Sequence, residues 1–174
     1  MITVSVTKYN YFTQDFYNSV ICSLQFHQLE CPSCGHRGCL TIHGYYKRGM
    51  LTPDGLVYLR ICRVKCSECG CTHALLPSSI VPYSRISTSD QHKIITAYKD
   101  HNGRNDVCND NPSIDENDVK AVIRRYRLYW LQRLFCERIA LSPFPNLIRQ
   151  CFSLYSMQFM QIRRTVNSLF SRPT

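Results

Sequence analysis

The chain has 174 residues, of which 44% are hydrophobic, and its net charge is +9. This length allows one domain or two small ones, and the composition supports a packed core. No stretch approaches the roughly 18 apolar residues of a membrane-spanning helix, and residues 1–30 lack the pattern of a secretory signal. We therefore expect a cytoplasmic protein without a membrane partner, whose eleven cysteines stay reduced and, where clustered, bind metal.

Residues 1–30 are predicted to cap the segment that follows. Ile2, Val4 and Val6 alternate as in a strand, and a short helix is expected after them. The aromatic residues of this segment are predicted to lie in the core or to contact a partner.

Residues 31–86 carry the pattern of a small antiparallel β zinc ribbon. Two Cys-x-x-Cys-Gly turns begin at Cys31 and Cys66, and a hairpin is predicted between them. Its strands cover residues 40–47 and 56–65, joined by a Thr-Pro-Asp-Gly turn at residues 52–55, and a third strand covers residues 72–76.

One structural Zn²⁺ is predicted at Cys31, Cys34, Cys66 and Cys69, because thiolates at i and i+3 of a tight turn reach a single tetrahedral ion. The 31 residues between the pairs exceed the usual spacing, but the hairpin accounts for them. In an alternative site, Cys71 or His73 replaces Cys69. The two pairs could also be redox dithiols, but these would require a thioredoxin-like βαβ context that the sequence lacks.

Residues 87–140 are predicted to form a helical, helix-turn-helix-like region. Ser87 or Thr88 is a suitable N-cap for a first helix, which Asn102-Gly103 would end. Residues 104–113 are polar and rich in turn formers, with room for one short helix around 106–109. A third helix is predicted from Ser113, as its N-cap, to about Ile139.

Residues 141–174 are predicted to contain one amphipathic helix, over 146–170. Apolar residues recur there at alternating steps of four and three: Ile148, Phe152, Tyr155, Phe159, Ile162, Val166 and Leu169. This stripe predicts either a homodimer through the C-terminal helix or packing inside the helical core of the same chain.

The positive charge lies in two segments. Residues 31–87 hold seven basic and two acidic residues, and residues 119–174 hold ten basic residues and one acidic residue. Clustered basic charge is typical of proteins that bind a polyanion, although a solvated helix surface gives the same pattern. The predicted DNA contacts are Lys47, Arg48, Arg60, Arg63 and Lys65 on the ribbon, and Lys120, Arg124, Arg125, Arg127 and Arg133 on the third helix.

The cysteine segment resembles a known family. CPSCG, HGYYKR, TPDG and RICRVKCSECGCTHALLPSSIVPYSRIS are similar to DUF6431 proteins of bacteria, whose zinc-ribbon motif also occurs in the N-terminal zinc-ribbon and helix-turn-helix part of insertion-sequence transposases. The resemblance covers about residues 31–130. It implies DNA binding in a mobile-element setting and does not imply catalysis.

The sequence thus predicts an α+β protein that binds double-stranded DNA as an accessory or regulatory component related to transposases. We expect no enzyme and no small-molecule substrate, because the acidic residues lie in helix caps and turns and the 98 residues after Leu76 are predicted to be helical. A zinc-stabilised adaptor between proteins, or an RNA-binding ribbon, is an alternative.

Overall fold

The computed structural model describes residues 1–4, 6, 12–99, 104–136, 138–143 and 146–152. The fold is mixed α+β, with a four-stranded sheet followed by helices. The strands are β1 (Ile2–Val4), β2 (Leu40–Thr52), β3 (Gly55–Cys66) and β4 (Thr72–Pro77). The helices are α1 (Gln14–Cys22), α2 (Thr88–Lys99), α3 (Arg104–Asp110), α4 (Glu116–Arg125) and α5 (Gln132–Cys136), with a 3₁₀ turn at Phe26–Gln28, a π-helical segment at Tyr126–Leu131 and a further helical stretch at 146–152.

The hairpin of β2 and β3 is the longest feature of the sheet. Its register runs from Leu40 opposite Cys66 to Thr52 opposite Gly55, with a bulge between Ile42 and Gly44. The predicted turn at residues 52–55 is correct, and Thr52 Oγ1 donates to the Gly55 carbonyl. The predicted first strand was too short. The apolar pattern breaks at Arg48, but β2 continues past it in register with β3 as far as Thr52. The Arg48 guanidinium donates to the carbonyl oxygens of Val81 and Ser84.

The N-terminal segment is part of this sheet. Strand β1 pairs in parallel with β4, which gives the order β1-β4-β3-β2 and corrects the expectation of a purely antiparallel ribbon. Strand β4 covers β3 only from Arg63 to Lys65, and α1 supplies hydrogen bonds to the strand beyond that point. The Gln14 carboxamide bonds both the N–H and the carbonyl of Arg60, and Tyr17 Oη accepts from the N–H of Cys62 and donates to the carbonyl of Leu75.

Two apolar clusters hold the described residues together. The sheet cluster packs α1 against the strands, with Tyr17, Met50, Leu59 and Ile61 almost fully buried. The helical cluster is formed by α2, α4, the π-helical segment and the stretch at 146–152. Leu51 lies at the end of the hairpin and belongs to the helical cluster, so the sheet and the helices are packed against each other there.

The helices begin close to the predicted positions. Ser87 caps α2, because its Oγ accepts from the N–H of Asp90 at 3.0 Å. A short helix, α3, is present where room for one was expected around residues 106–109, and it extends beyond that range at both ends. The predicted N-cap Ser113 is wrong: Asp115 caps α4 and forms a reciprocal capping box with Asp118. A carboxylate at that position both accepts the free N–H groups and suits the helix dipole.

The long third helix differs from a regular α-helix. It becomes π-helical at Tyr126 and ends at Cys136, earlier than the predicted Ile139. Of the C-terminal apolar stripe, Ile148 is buried in the helical cluster and the Phe152 ring lies 4.8 Å from that of Trp130. The rest of the stripe, after residue 152, and the predicted helix stop at Asn102-Gly103 fall outside the described residues. No helix in the described ranges has the length and apolarity needed to cross a bilayer.

Candidate functional site

Two matching turns carry the four cysteines of the predicted metal site. The first follows the 3₁₀ turn and the second follows β3, and both have the same backbone hydrogen bonds. In the first turn the Gly35 N–H donates to the Cys31 carbonyl, and the Cys31 N–H donates to the carbonyl of His36. In the second the Gly70 N–H donates to the Cys66 carbonyl, and the Cys66 N–H donates to the carbonyl of Cys71.

Both turns need glycine at the same place. Gly35 has a φ of +79° and Gly70 a φ of +68°, in the left-handed region that other residues rarely adopt. The chain can therefore reverse immediately after Cys34 and Cys69. The common geometry presents two sulfurs from each turn to the same point.

The four sulfurs are close enough to hold one metal ion. The Sγ atoms of Cys31, Cys34, Cys66 and Cys69 all lie within 4.8 Å of one another. Those of Cys31 and Cys69 are 3.7 Å apart, and those of Cys34 and Cys66 are 3.6 Å apart. A tetrahedron with metal–sulfur bonds of about 2.3 Å has edges of about 3.8 Å, so these distances fit four thiolates on one ion.

One side of the four-cysteine cluster is buried and the other is exposed to solvent. Cys31 and Cys66 are buried, whereas Cys34 and Cys69 are exposed. Burial alone would raise the pKa of Cys66. Hydrogen bonds from the backbone N–H groups of Cys69 and Glu68 and from the Cys39 thiol outweigh burial and lower its pKa to about 6. This sulfur is therefore already stabilised as a thiolate by its surroundings.

Two further side chains support the ligands. Cys39 Sγ lies 3.3 Å from Cys66 Sγ, and burial raises the pKa of Cys39 to about 12, so Cys39 stays protonated. His73 Nε2 lies 3.3 Å from Cys31 Sγ, and burial lowers the pKa of this imidazole to about 4, so its ring is neutral. Both groups can donate a hydrogen bond to a ligand sulfur, which is the usual role of groups next to metal-bound thiolates.

The variant ligand sets considered from the sequence are less compatible with the geometry. Cys69 takes part in the four-sulfur group, and neither Cys71 nor His73 is a member of it. His73 instead contacts the buried ligand Cys31. Sequence spacing did not reveal the role of Cys39. The signal that could have found it is strand register, since Leu40 pairs with Cys66 and places the preceding residue beside that sulfur.

The predicted DNA contacts on the ribbon lie on two faces of the hairpin. Lys47 and Arg60 are opposite each other in the register, are exposed and share one face. Arg63 and Lys65 lie on the other face, because they differ from Arg60 by an odd number of positions along β3. Arg48 is half-buried, and its guanidinium holds the 81–84 turn. The Arg48 guanidinium is therefore engaged in hydrogen bonds within the fold.

The predicted contacts on the helices also differ in their availability. Lys120 forms an ion pair of 3.0 Å with Glu116, and Arg125 donates to the carbonyl oxygen of Tyr83 at 3.1 Å. Arg124 and Arg127 are exposed, and no carboxylate in the described part of the chain pairs with either. The spacing i, i+4, i+7 places Lys120, Arg124 and Arg127 on one side of the helix, but Arg127 already belongs to the π-helical segment. The side chain of Arg133 lies outside the described residues.

Helices α2, α3 and α4 pack together, and α2 is the longest of the three. Residues 111–115 connect α3 to α4, and α2 packs against both. The segment before α2 is bonded to α4 at two points: the Tyr83 carbonyl accepts from Arg125, and the Arg85 guanidinium pairs with Asp118 at 3.3 Å. Helix α4, which carries Arg124 and leads into the segment with Arg127, is thus held near both of its ends.

Comparison with known proteins identifies one family. The family model described as a domain of unknown function, DUF6431, matches residues 31–126. The chain belongs to the DUF6431 family. Searches of curated proteins and of solved structures found no match.

The DUF6431 match follows the architecture. It begins at Cys31, the first sulfur of the cluster, and ends at Tyr126, where α4 becomes π-helical. It therefore includes the two cysteine turns, the hairpin and the helices through α4. Strand β1 and helix α1, which complete the edge of the sheet, precede the DUF6431 match.

Proposed function

We propose that this DUF6431 protein is a zinc-stabilised, non-catalytic DNA-binding protein. Thiolate ligands favour zinc over calcium and magnesium, which prefer oxygen ligands, and a tetrahedral set of four cysteines is typical of structural zinc. Cys31, Cys34, Cys66 and Cys69 would hold the ion. Four protein ligands leave no coordination position for a substrate or a reactive water, which supports a structural role and a protein that is not an enzyme.

The observation that carries the DNA proposal is a pair of exposed arginines, Arg124 near the end of α4 and Arg127 in the π-helical segment that continues it. Arg124 and Arg127 project from a helix that follows a short helix and a five-residue connection, an arrangement that resembles a helix-turn-helix. An exposed guanidinium without a carboxylate partner is available to a phosphate, for which its planar fork is well suited. Arg63 and Lys65, on the face of the hairpin opposite Lys47 and Arg60, would add contacts to the DNA backbone.

The charge along α4 favours one mode of DNA contact. The first turn carries Glu116 and Asp118, which pair with Lys120 and Arg85 and neutralise the positive charge that would attract phosphates there. A recognition helix usually contacts base edges with its N-terminal residues. We therefore propose that the second half of α4 binds the phosphate backbone, and that sequence readout through the first turn is weak.

The biological setting of this proposal rests on sequence resemblance. The similarity to the N-terminal part of insertion-sequence transposases supports an accessory or regulatory role in a mobile element. A cytoplasmic location fits this role, because thiols remain reduced there. Homodimerisation through residues after 152 is a further element of the proposal. Light scattering tests it, and a monomer would count against it.

The DNA proposal is tested by the salt dependence of binding to duplex DNA. Fluorescence anisotropy should show binding that weakens steeply with salt, and the variant Arg124→Ala/Arg127→Ala should reduce the log–log slope by about 1.8, or about 0.9 for each lost phosphate contact. The matched control Lys93→Ala/Lys99→Ala removes the same charge from α2 and should leave the slope near that of the native protein. Equal effects of both variants, or no binding at low salt, would contradict the proposal.

The alternative function is that of a zinc-stabilised adaptor between proteins. The observation that favours it is exposed apolar surface near the turn of the hairpin, where Leu56 is 43% and Tyr58 52% exposed and both side chains lie next to Gly49. Exposed apolar residues that lie together mark protein interfaces. An adaptor would bind its partner with little dependence on salt and would be indifferent to the loss of Arg124 and Arg127.

A further inference from the structure

One face of the hairpin combines two exposed tyrosines with two exposed cations. Tyr45 is 47% and Tyr58 52% exposed. Lys47 Nζ lies 3.9 Å from the centre of the Tyr58 ring, and Arg60 Cζ lies 4.3 Å from the centre of the Tyr45 ring. We call these four residues the aromatic–basic face.

The four residues have a regular arrangement across the two strands. Lys47 and Arg60 form a directly opposed pair, whereas Tyr45 lies opposite Cys62 and Tyr58 lies opposite Gly49. The tyrosines are thus offset by four positions along the strands, which is about 13 Å, with the two cations midway between them. A Cβ at Gly49 would lie 3.5 Å from Tyr58 Cε1, so glycine leaves room for the ring to lie across the neighbouring strand.

The opposed cations give this face a reason to bind an anion. Like charges directly opposite in an antiparallel pair destabilise a sheet, and this pair has no carboxylate near it in the hairpin sequence. Residues 40–66 contain five basic residues, and Asp54 in the turn is the single acidic one. A bound phosphate group between Lys47 and Arg60 would relieve their repulsion.

We propose that the aromatic–basic face binds single-stranded DNA. Unpaired bases stack on Tyr45 and Tyr58, and the phosphates between these bases lie against Lys47 and Arg60. Bases in a duplex are stacked on one another and cannot reach the rings, whereas every unpaired base presents a free face. An acidic peptide would satisfy the two cations but would bring no flat ring to stack on the exposed parts of the two tyrosine rings.

This proposal extends the duplex-binding function but uses a different surface. A protein that contacts duplex through α4 and unpaired bases through the hairpin would suit DNA with a single-stranded segment beside a duplex. Either surface can be removed without altering the other, so the two proposals can fail separately.

The test compares variants of the full-length, zinc-loaded protein on a fluorescent oligothymidylate at low salt. Each stacked base contributes about 1–3 kcal/mol, so Tyr45→Ala/Tyr58→Ala should weaken binding by at least about 30-fold. The matched variant Tyr45→Phe/Tyr58→Phe keeps the rings and should bind within about threefold of the native protein. Lys47→Gln/Arg60→Gln should lower the salt slope by about 1.4, the value for two phosphate contacts to a single strand.

The same proteins are then assayed on duplex DNA and on two competitors. Arg124→Ala/Arg127→Ala should weaken duplex binding and leave oligothymidylate binding unchanged. Absence of oligothymidylate binding, or equal affinity of the alanine and phenylalanine pairs, would overturn the proposal. Binding of polyglutamate in place of oligothymidylate would assign the face to an acidic protein, and tighter binding of oligouridylate than oligothymidylate would assign it to RNA. Either result would also overturn the proposal. Circular dichroism confirms that each variant is folded.

Discussion

The Tyr17 hydroxyl joins α1 to two strands, and its removal should destabilise the protein strongly. Tyr17 is 1% exposed, accepts from the N–H of Cys62 at 2.7 Å and donates to the carbonyl of Leu75 at 3.0 Å. Tyr17→Phe keeps the ring and leaves both backbone groups buried without this partner. Because each unsatisfied buried polar group costs about 1–3 kcal/mol, the loss of both partners should lower the free energy of unfolding by about 2–6 kcal/mol.

Differential scanning calorimetry of the zinc-loaded protein measures this effect. For a chain of this size, the loss corresponds to a decrease in melting temperature of at least about 4 °C. Tyr45→Phe is the matched control, because the Tyr45 ring is 47% exposed and its hydroxyl has access to water. If Tyr17→Phe melts within 1 °C of the native protein, the two hydrogen bonds of the Tyr17 hydroxyl do not stabilise the packing of α1 on the sheet as expected.

Three further predictions concern other parts of the fold. Asp115→Ala removes the N-cap of α4 and should lower the free energy of unfolding by about 1 kcal/mol in urea denaturation, whereas an unchanged midpoint would argue against the capping box. Burial, and secondarily the charge of Arg149, lowers the pKa of His92 below 6.5, so protonation favours the unfolded chain. The free energy of unfolding should therefore fall as the pH drops through 6.5. Urea titrations at each pH should show a smaller fall for His92→Gln. Gly70→Ala forces a side chain into a φ of +68° and should weaken zinc retention against a chelator, while Gly49→Ala, outside the turns, should not.

The two cysteine turns could be predicted from the sequence because their chemistry is local. A Cys-x-x-Cys-Gly pattern specifies a tight turn, two sulfurs and a left-handed glycine, and the structure shows this geometry at both Cys31 and Cys66. The hairpin turn and the N-cap of α2 are equally local, and they too were predicted correctly. The sequence pattern thus specified each turn and the cysteines that it presents.

The features that the sequence did not reveal depend on contacts between distant residues. Parallel pairing of β1 with β4 joins residues more than 70 positions apart, and an apolar alternation such as Ile2 and Val4 does not name its partner strand. Arg48 was expected to bind phosphate, but the Val81 and Ser84 carbonyls, more than 30 positions away, accept its hydrogen bonds. Charge alone cannot distinguish a buried guanidinium from an exposed one.

The availability of the basic residues also required the structure. Charge in the sequence predicted Lys120, Arg124 and Arg125 alike as DNA contacts, but the first pairs with Glu116 and the last donates to the carbonyl of Tyr83 in the 81–84 turn. Opposite faces of the hairpin separate Lys47 and Arg60 from Arg63 and Lys65, which periodicity could have anticipated. Exposure and partner choice are tertiary properties, and they decide which cations remain free for a ligand.

The central claim is that four cysteines hold one zinc ion, and metal analysis of the purified protein tests it directly. Inductively coupled plasma mass spectrometry of protein purified without a metal-affinity tag should give one zinc per chain. Cys66→Ser should lose the zinc, and the exposed Cys22→Ser should retain it. Absence of zinc from the native protein, or full retention of zinc by Cys66→Ser, would contradict the account.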